Sequence, residues 1–205
     1  LYSDTSYPPI AQYNKGEARY FAGDFEAARV EYAAVDSMYP DSETGLRANS
    51  IYSAAWSSEK LGDADAAITL YTRVVDAFPR SDQAPLCLLR IGRVSTEQQR
   101  FDDAVEAYRA IAENYGETRH AADAHYGMGL LFKQQGRDAE AVTAFSQVGR
   151  DAREVYVASL IEAANIHIGG GRSEEGRQVL DQLLEGVTGD RVLESTAHYQ
   201  IAQLD

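Results

Sequence analysis

Cysteine is almost absent. Cys87 is the only one in 205 residues, so no intrachain disulfide can form, and a lone thiol cannot hold zinc. Long apolar runs are missing too, so direct insertion into a bilayer is not expected. Positive charge is short: 19 Lys and Arg stand against 32 Asp and Glu, for a net charge of −13. That balance excludes a nucleic-acid backbone or an anionic membrane surface as the main partner. Only three of the bases are lysines, Lys15, Lys60 and Lys133. The deficit deepens along the chain, with 14 acids and 10 bases in residues 1–100 and 18 acids and 9 bases in 101–205.

Catalytic motifs are also lacking. There is no Gly-x-Ser-x-Gly elbow and no His-Glu-x-x-His pair. Gly169-Gly170-Gly171-Arg172-Ser173 precedes a helix but lacks the lysine of a phosphate loop, and reads as an inter-helix turn. Gly127-Met128-Gly129 lacks the third glycine of a dinucleotide fingerprint and reads as the small face of a helix. His120 and His125 are five apart, which points them to different sides of a helix: His120 reads as capping or exposed, the other histidines as partly buried packing. The pairs Asp102-Asp103 and Glu174-Glu175 fall at helix starts, where acids favour the macrodipole. Cys87, between Leu86 and Leu88, reads as a small buried apolar residue. No enzyme activity, metal or cofactor follows from these residues. The chain begins at Leu1 without a visible signal peptide, and the expectation is a processed form or a fragment of a larger protein.

What is present is repetition. Five segments align, opening at Gly16, Ala55, Gly92, Gly129 and Ala164, each with a second small residue 12 positions later: Ala28, Ala67, Ala104, Ala141 and Gly176. Four residues further on stand Tyr32, Tyr71, Tyr108, Phe145 and Leu180, and three beyond those Val35, Val74, Ile111, Val148 and Leu183. The second small residue recurs after 39, 37, 37 and 35 residues. Small residues let two helix backbones approach, and the large ones fill the adjoining gap. Gly23, Gly62, Gln99, Gly136 and Gly171 lie between the small residues, where a left-handed residue would end one helix. Asp24 and Asp63 follow as N-caps, with Ser173 doing the same one place later. Each unit therefore reads as helix A, tight turn, helix B. Ser42, Asp82, Thr118 and Asp190 read as N-caps of A helices, and Pro85 as a first-turn residue. Residues 1–9 read as an extended lead-in, helix B of the fourth unit as 137–149, and Arg73 and Arg109 as solvent-facing. Gly176 and Arg177 stand where other units have Ala and usually an apolar residue, so looser packing is expected there.

The arrangement resembles the tetratricopeptide repeat, whose hallmark is small residues at unit positions 8 and 20. The resemblance covers roughly residues 10–205 and implies an all-α fold: a right-handed α-solenoid of helix hairpins, five pairs plus a C-terminal helix, as a single domain over 1–205. The long period and the endings Tyr39-Pro40-Asp41-Ser42 and Phe78-Pro79-Arg80-Ser81 look most like tetratricopeptide proteins of the bacterial envelope. In style they are closest to the outer-membrane barrel-assembly lipoprotein and the Tol-Pal-associated coordinator. That likeness implies a periplasmic address and a part in envelope assembly, with a cytoplasmic interaction module of a larger regulatory or enzymatic protein as the alternative.

In such repeats the A helices line a concave groove that holds a peptide or helix of another protein. Carried over by register, the groove positions fall on Tyr13, Glu17, Tyr20, Tyr52, Trp56, Arg93, Tyr126, Lys133 and Asn165. Tyr occupies one equivalent position four times, at Tyr13, Tyr52, Tyr126 and Tyr199. Its rigid ring and polar tip suit a peptide groove, and the same rings can equally pack between adjacent A helices. Family members that clamp a C-terminal carboxylate use Lys, Arg and Asn at set positions; here Arg93, Lys133 and Asn165 are scattered among Tyr, Trp, Leu and Glu. A chain at −13 is expected to prefer a basic or apolar-aromatic segment, with homo-oligomerisation through its ends left open.

Overall fold

The structure, a computed structural model, describes residues 7–116, 118–187, Gly189 and 191–202. The described residues form eleven α-helices and no strand: α1 Tyr7–Phe21, α2 Phe25–Met38, α3 Thr44–Lys60, α4 Ala64–Ala77, α5 Gln83–Glu97, α6 Phe101–Asn114, α7 Arg119–Gln134, α8 Asp138–Ser146, α9 Arg153–Gly169, α10 Ser173–Val187 and α11 Arg191–Ala202. They pair in sequence as five hairpins followed by α11, an α-solenoid of helix hairpins. The chain divides into two compact units, 1–107 and 108–205, with the division inside α6.

One turn serves all five hairpins. Gly23, Gly62, Gln99, Gly136 and Gly171 all have positive φ, and Gln99 is the one described non-glycine residue that does so. The next N–H reaches back five residues each time, from Asp24 to Arg19, Asp63 to Ser58, Arg100 to Ser95, Arg137 to Phe132 and Arg172 to His167, at 2.8–3.0 Å. This bond closes the last turn of helix A in the Schellman manner. The same residue then starts helix B, since its carbonyl accepts from the small residue four places on, such as Ala28, Ala104 or Gly176. Asp24 and Asp63 also accept with their side chains, from Ala27 and Ala66 N–H at 3.2 and 3.1 Å.

All four expected columns are buried. Ala28, Ala67, Ala104 and Ala141 have no exposed surface, and Tyr32, Tyr71, Phe145, Leu180, Val35, Val74, Ile111 and Leu183 have almost none. A Cβ added at Gly16 would lie 2.4 Å from the Tyr32 ring, and one at Gly129 equally close to Phe145. Glycine is thus the condition for these rings to seat. Gly127 meets the Tyr108 ring instead, so the two glycines of α7 serve different faces rather than one. Cys87 is fully buried, and burial pushes its thiol pKa up.

Several expectations change. Tyr7, Pro8 and Pro9 belong to α1, because a first-turn proline forfeits no helical hydrogen bond; residues 1–6 lie outside the described residues. Ser42 is not a cap: α3 starts at Thr44 after Glu43. Asp82 and Thr118 hold the cap positions of α5 and α7 without side-chain cap bonds, and Asp190 lies outside the described residues. Ser173 is the first residue of α10, after Arg172 at the cap. Helix α8 stops at Ser146, because Gln147 and Val148 turn tighter and bond the carbonyls three residues back. Packing at Gly176 is close rather than loose: an added Cβ would lie 2.6 Å from Ile168 Cγ1 and 3.2 Å from the Ala164 carbonyl. His120 is half-buried, neither capping nor exposed, with Nδ1 lacking a partner.

Candidate functional site

In the first unit the A helices α1 and α3 touch, as do α3 and α5. Their side chains make an aromatic and carboxylate row. Tyr13 is half-buried, its ring centroid 5.3 Å from that of Tyr32, and its hydroxyl takes a hydrogen bond from Asn49 Nδ2 at 3.0 Å and lies 3.4 Å from Ser53 Oγ. Tyr20 of α1 accepts from Trp56 Nε1–H of α3 at 2.5 Å. Tyr52 sits between Trp56 and Tyr71, with centroids at 6.3 and 5.6 Å. The Arg90 guanidinium of α5 lies 3.5 Å over the Trp56 ring, a close cation–π contact. These rings therefore pack between successive A helices, yet Tyr13, Tyr20, Tyr52 and Trp56 each keep surface open to solvent.

Two carboxylates organise the row. Glu17 accepts the Tyr32 hydroxyl, and Glu59 accepts the Tyr71 hydroxyl at 2.6 Å. Burial first, and the adjoining carboxylate second, push both tyrosines above the usual phenol range, so each hydroxyl stays a donor. Burial likewise raises Tyr13 and Tyr52. Glu59 is neutralised by Arg93 at 2.6 Å and Arg90 at 3.7 Å. Arg93 is thus committed to an internal pair. Glu17, Tyr20, Phe21, Tyr32, Tyr52, Ser53 and Trp56 line a depression of about 200 Å³.

The corresponding residues of the second unit are plainer. Tyr126 lies 5.7 Å, centroid to centroid, from Phe145, and burial followed by Glu162 raises its pKa. Lys133 of α7 bonds Glu162 of α9 at 2.5 Å. Asn165 is exposed, and Tyr199 of α11 is mostly so. Gln203, also a groove position by register, lies outside the described residues. Among the described residues no three His, Cys, Asp or Glu side chains converge as metal ligands, and no helix is long and apolar enough to cross a membrane.

Sequence reasoning missed the partners. Arg90 over Trp56, Phe21 at the rim and Ser53 in the wall were not anticipated. Arg73, read as solvent-facing, pairs with Asp36, whose side chain is only 3% exposed and also takes a 2.7 Å bond from Arg47. The usable signal was spacing: Glu59 to Arg93 and Asp36 to Arg73 are 34 and 37 residues apart, about one repeat.

Comparison with known proteins agrees with the geometry. Sequence profiles described as tetratricopeptide repeat match residues 52–114 and 89–155, and a second profile of that description matches 10–42. No curated protein matches in sequence. Among solved structures, a MamA protein superposes with a TM-score of 0.67 at 17% identity, over 87% of this chain and 91% of its own. MamA residues 41–end from Desulfovibrio magneticus RS-1 give 0.64 at 14%, over 89% and 97%. A tetratricopeptide repeat protein from Parabacteroides merdae gives 0.67 at 17%, over 95% and 74%.

Proposed function

The chain belongs to the tetratricopeptide repeat family, and on that premise we propose that it is a non-catalytic scaffold that binds an extended segment or a helix of a partner protein on its A-helix face. The observation that carries this reading is the solvent-open aromatic row of the first unit, Tyr13, Tyr20, Tyr52 and Trp56, the last three of which line a depression. Half-buried Tyr and Trp rings fixed by hydrogen bonds offer contact area with little entropy left to lose. Glu17 and Arg93 flank the row; in the second unit, taken by itself, Tyr126, Lys133 and Asn165 hold the corresponding register positions. The partner segment is basic or apolar-aromatic, in keeping with the net charge of −13.

Peptides selected from a random display library against the immobilised chain test this directly. The Tyr52→Ala/Trp56→Ala variant binds them at least about tenfold more weakly, as expected for aromatic hot spots, while its helical circular dichroism stays unchanged. Equal affinity in an intact variant overturns the assignment.

A place in bacterial envelope assembly is the finer reading. It is supported by the repeated Tyr/Phe-Pro-x-Ser ending, where Ser42 and Ser81 N–H bond back to Tyr39 and Phe78 carbonyls at 3.0 and 2.9 Å. Fractionation of the native host with a tagged full-length gene product places it in the envelope on this reading. Recovery in the cytosol alone overturns it and favours the cytoplasmic module.

A further inference from the structure

Glu17 and Glu59 are carboxylates of A helices at different places in the repeat, one and four residues after the small residue. Glu17 and Glu59 do the same work, each accepting the hydroxyl of the buried tyrosine on helix B. They differ in what the following A helix brings. In the register of the repeat, α5 presents Arg90 and Arg93 at the positions where α3 presents Ser53 and Trp56. The two arginines close on Glu59 and neutralise it. Beside Glu17 stand Ser53 and Trp56, and among the described residues no Lys or Arg pairs with this carboxylate. By register Trp56 and Tyr20 hold the places of Arg93 and Glu59, and the depression of about 200 Å³ beside Glu17 is walled by Tyr20, Phe21, Tyr52 and Trp56. Trp56 Nε1–H is already spent on Tyr20, and its ring carries Arg90 at 3.5 Å and Lys60 at 5.7 Å. Arg90, which occupies ring surface of Trp56, does not line the depression. A half-buried carboxylate with no basic partner among the described residues attracts a cation by charge. A neutral guest would leave that charge unpaired, at a cost.

The geometry points to this depression as a subsite for one cationic side chain of the partner segment, an arginine or lysine that pairs with Glu17. This rests on the scaffold reading for its biological occupant, but the subsite itself can be tested without any partner. Trp56 is the only tryptophan, so its indole N–H gives a single nitrogen-15 NMR cross-peak that reports on this place alone. The probes are N-acetyl-arginine methylamide and N-acetyl-lysine methylamide, with the norleucine and phenylalanine methylamides as neutral controls, titrated into the full chain.

The two cationic probes are expected to shift the Trp56 cross-peak saturably and the neutral ones at least about tenfold more weakly. Glu17→Gln, whose amide oxygen can still accept the Tyr32 hydroxyl, is expected to remove most of that preference. Norleucine or phenylalanine binding as well as arginine overturns the inference, as does an unchanged preference in a folded Glu17→Gln variant. If that variant does not fold, the probe comparison on the unaltered chain decides alone. The two readings fail separately. Display-selected peptides that bind this face without a basic residue, together with no cationic preference, end the subsite and leave the scaffold. A cationic preference with no peptide bound on the face ends the scaffold and leaves the subsite.

Discussion

The first and fifth hairpins solve one packing problem in opposite ways. In the first, the glycine is on helix A, and Gly16 receives the Tyr32 ring from helix B. In the fifth, the glycine is on helix B, and Gly176 receives Ile168 from helix A. Both keep the backbones close, so the requirement falls on the summed volume at the crossing and not on which helix is small. The surroundings differ as well. The first hairpin is tied to α3 and α4 by charge, with buried Asp36 held by Arg47 and Arg73. The fifth is tied by apolar contact, with Leu180 and Leu183 in one cluster with Ala122 of α7 and Val148 after α8. A similar repeat can therefore be bound to its neighbours by ions or by apolar surface.

Substitutions can break this comparison, and urea or thermal denaturation reads each of them. The largest effect is expected where the neighbour contact is removed. Leu183→Ala in the fifth hairpin should cost about 3 kcal/mol through a cavity, and Asp36→Ala in the first about 2 kcal/mol through lost charged hydrogen bonds. Equal salt sensitivity of the two losses would contradict the ionic assignment. Next comes the crossing itself. Gly16→Ala pushes a Cβ against a rigid ring and should cost about 2 kcal/mol. Gly176→Ala pushes against Ile168 Cγ1 and the Ala164 carbonyl but meets no rigid ring and gains helix propensity, so its net cost should be smaller, about 1 kcal/mol. Equal losses would show that the two crossings are alike after all. The smallest contrast lies in the turns. Asp24→Ala loses a side-chain cap worth about 1 kcal/mol, whereas Arg172→Ala keeps the backbone turn and should stay within about 0.5 kcal/mol.

Much of the fold was legible because it is local. Small and large residues at fixed spacing mark the crossings, and a glycine between them marks the turn. Gln99 shows how strong that logic is: it adopts φ 59° because the turn on either side demands it, although no glycine is there. The candidate site was legible only as a set of positions. Register put Tyr13, Tyr20, Tyr52 and Trp56 on A helices, but could not say that Trp56 bonds Tyr20, or that Arg90 lies over its ring. Arg73 is solvent-facing as expected, but register could not say that a long arginine on an exposed helix face reaches a buried acid of the previous repeat.

By itself, the amino-acid order determined the hairpins, their turns and the columns of the core, because each depends on residues that stay close along the chain or recur with its period. Tertiary structure alone decided which charges cancel. Arg93 reaches Glu59 and Arg73 reaches Asp36 across a whole repeat, while Glu17 meets no such partner among the described residues. Those pairings hang on how far one helix stands from the next and which rotamer spans the gap, and such distances arise only once the repeats are stacked.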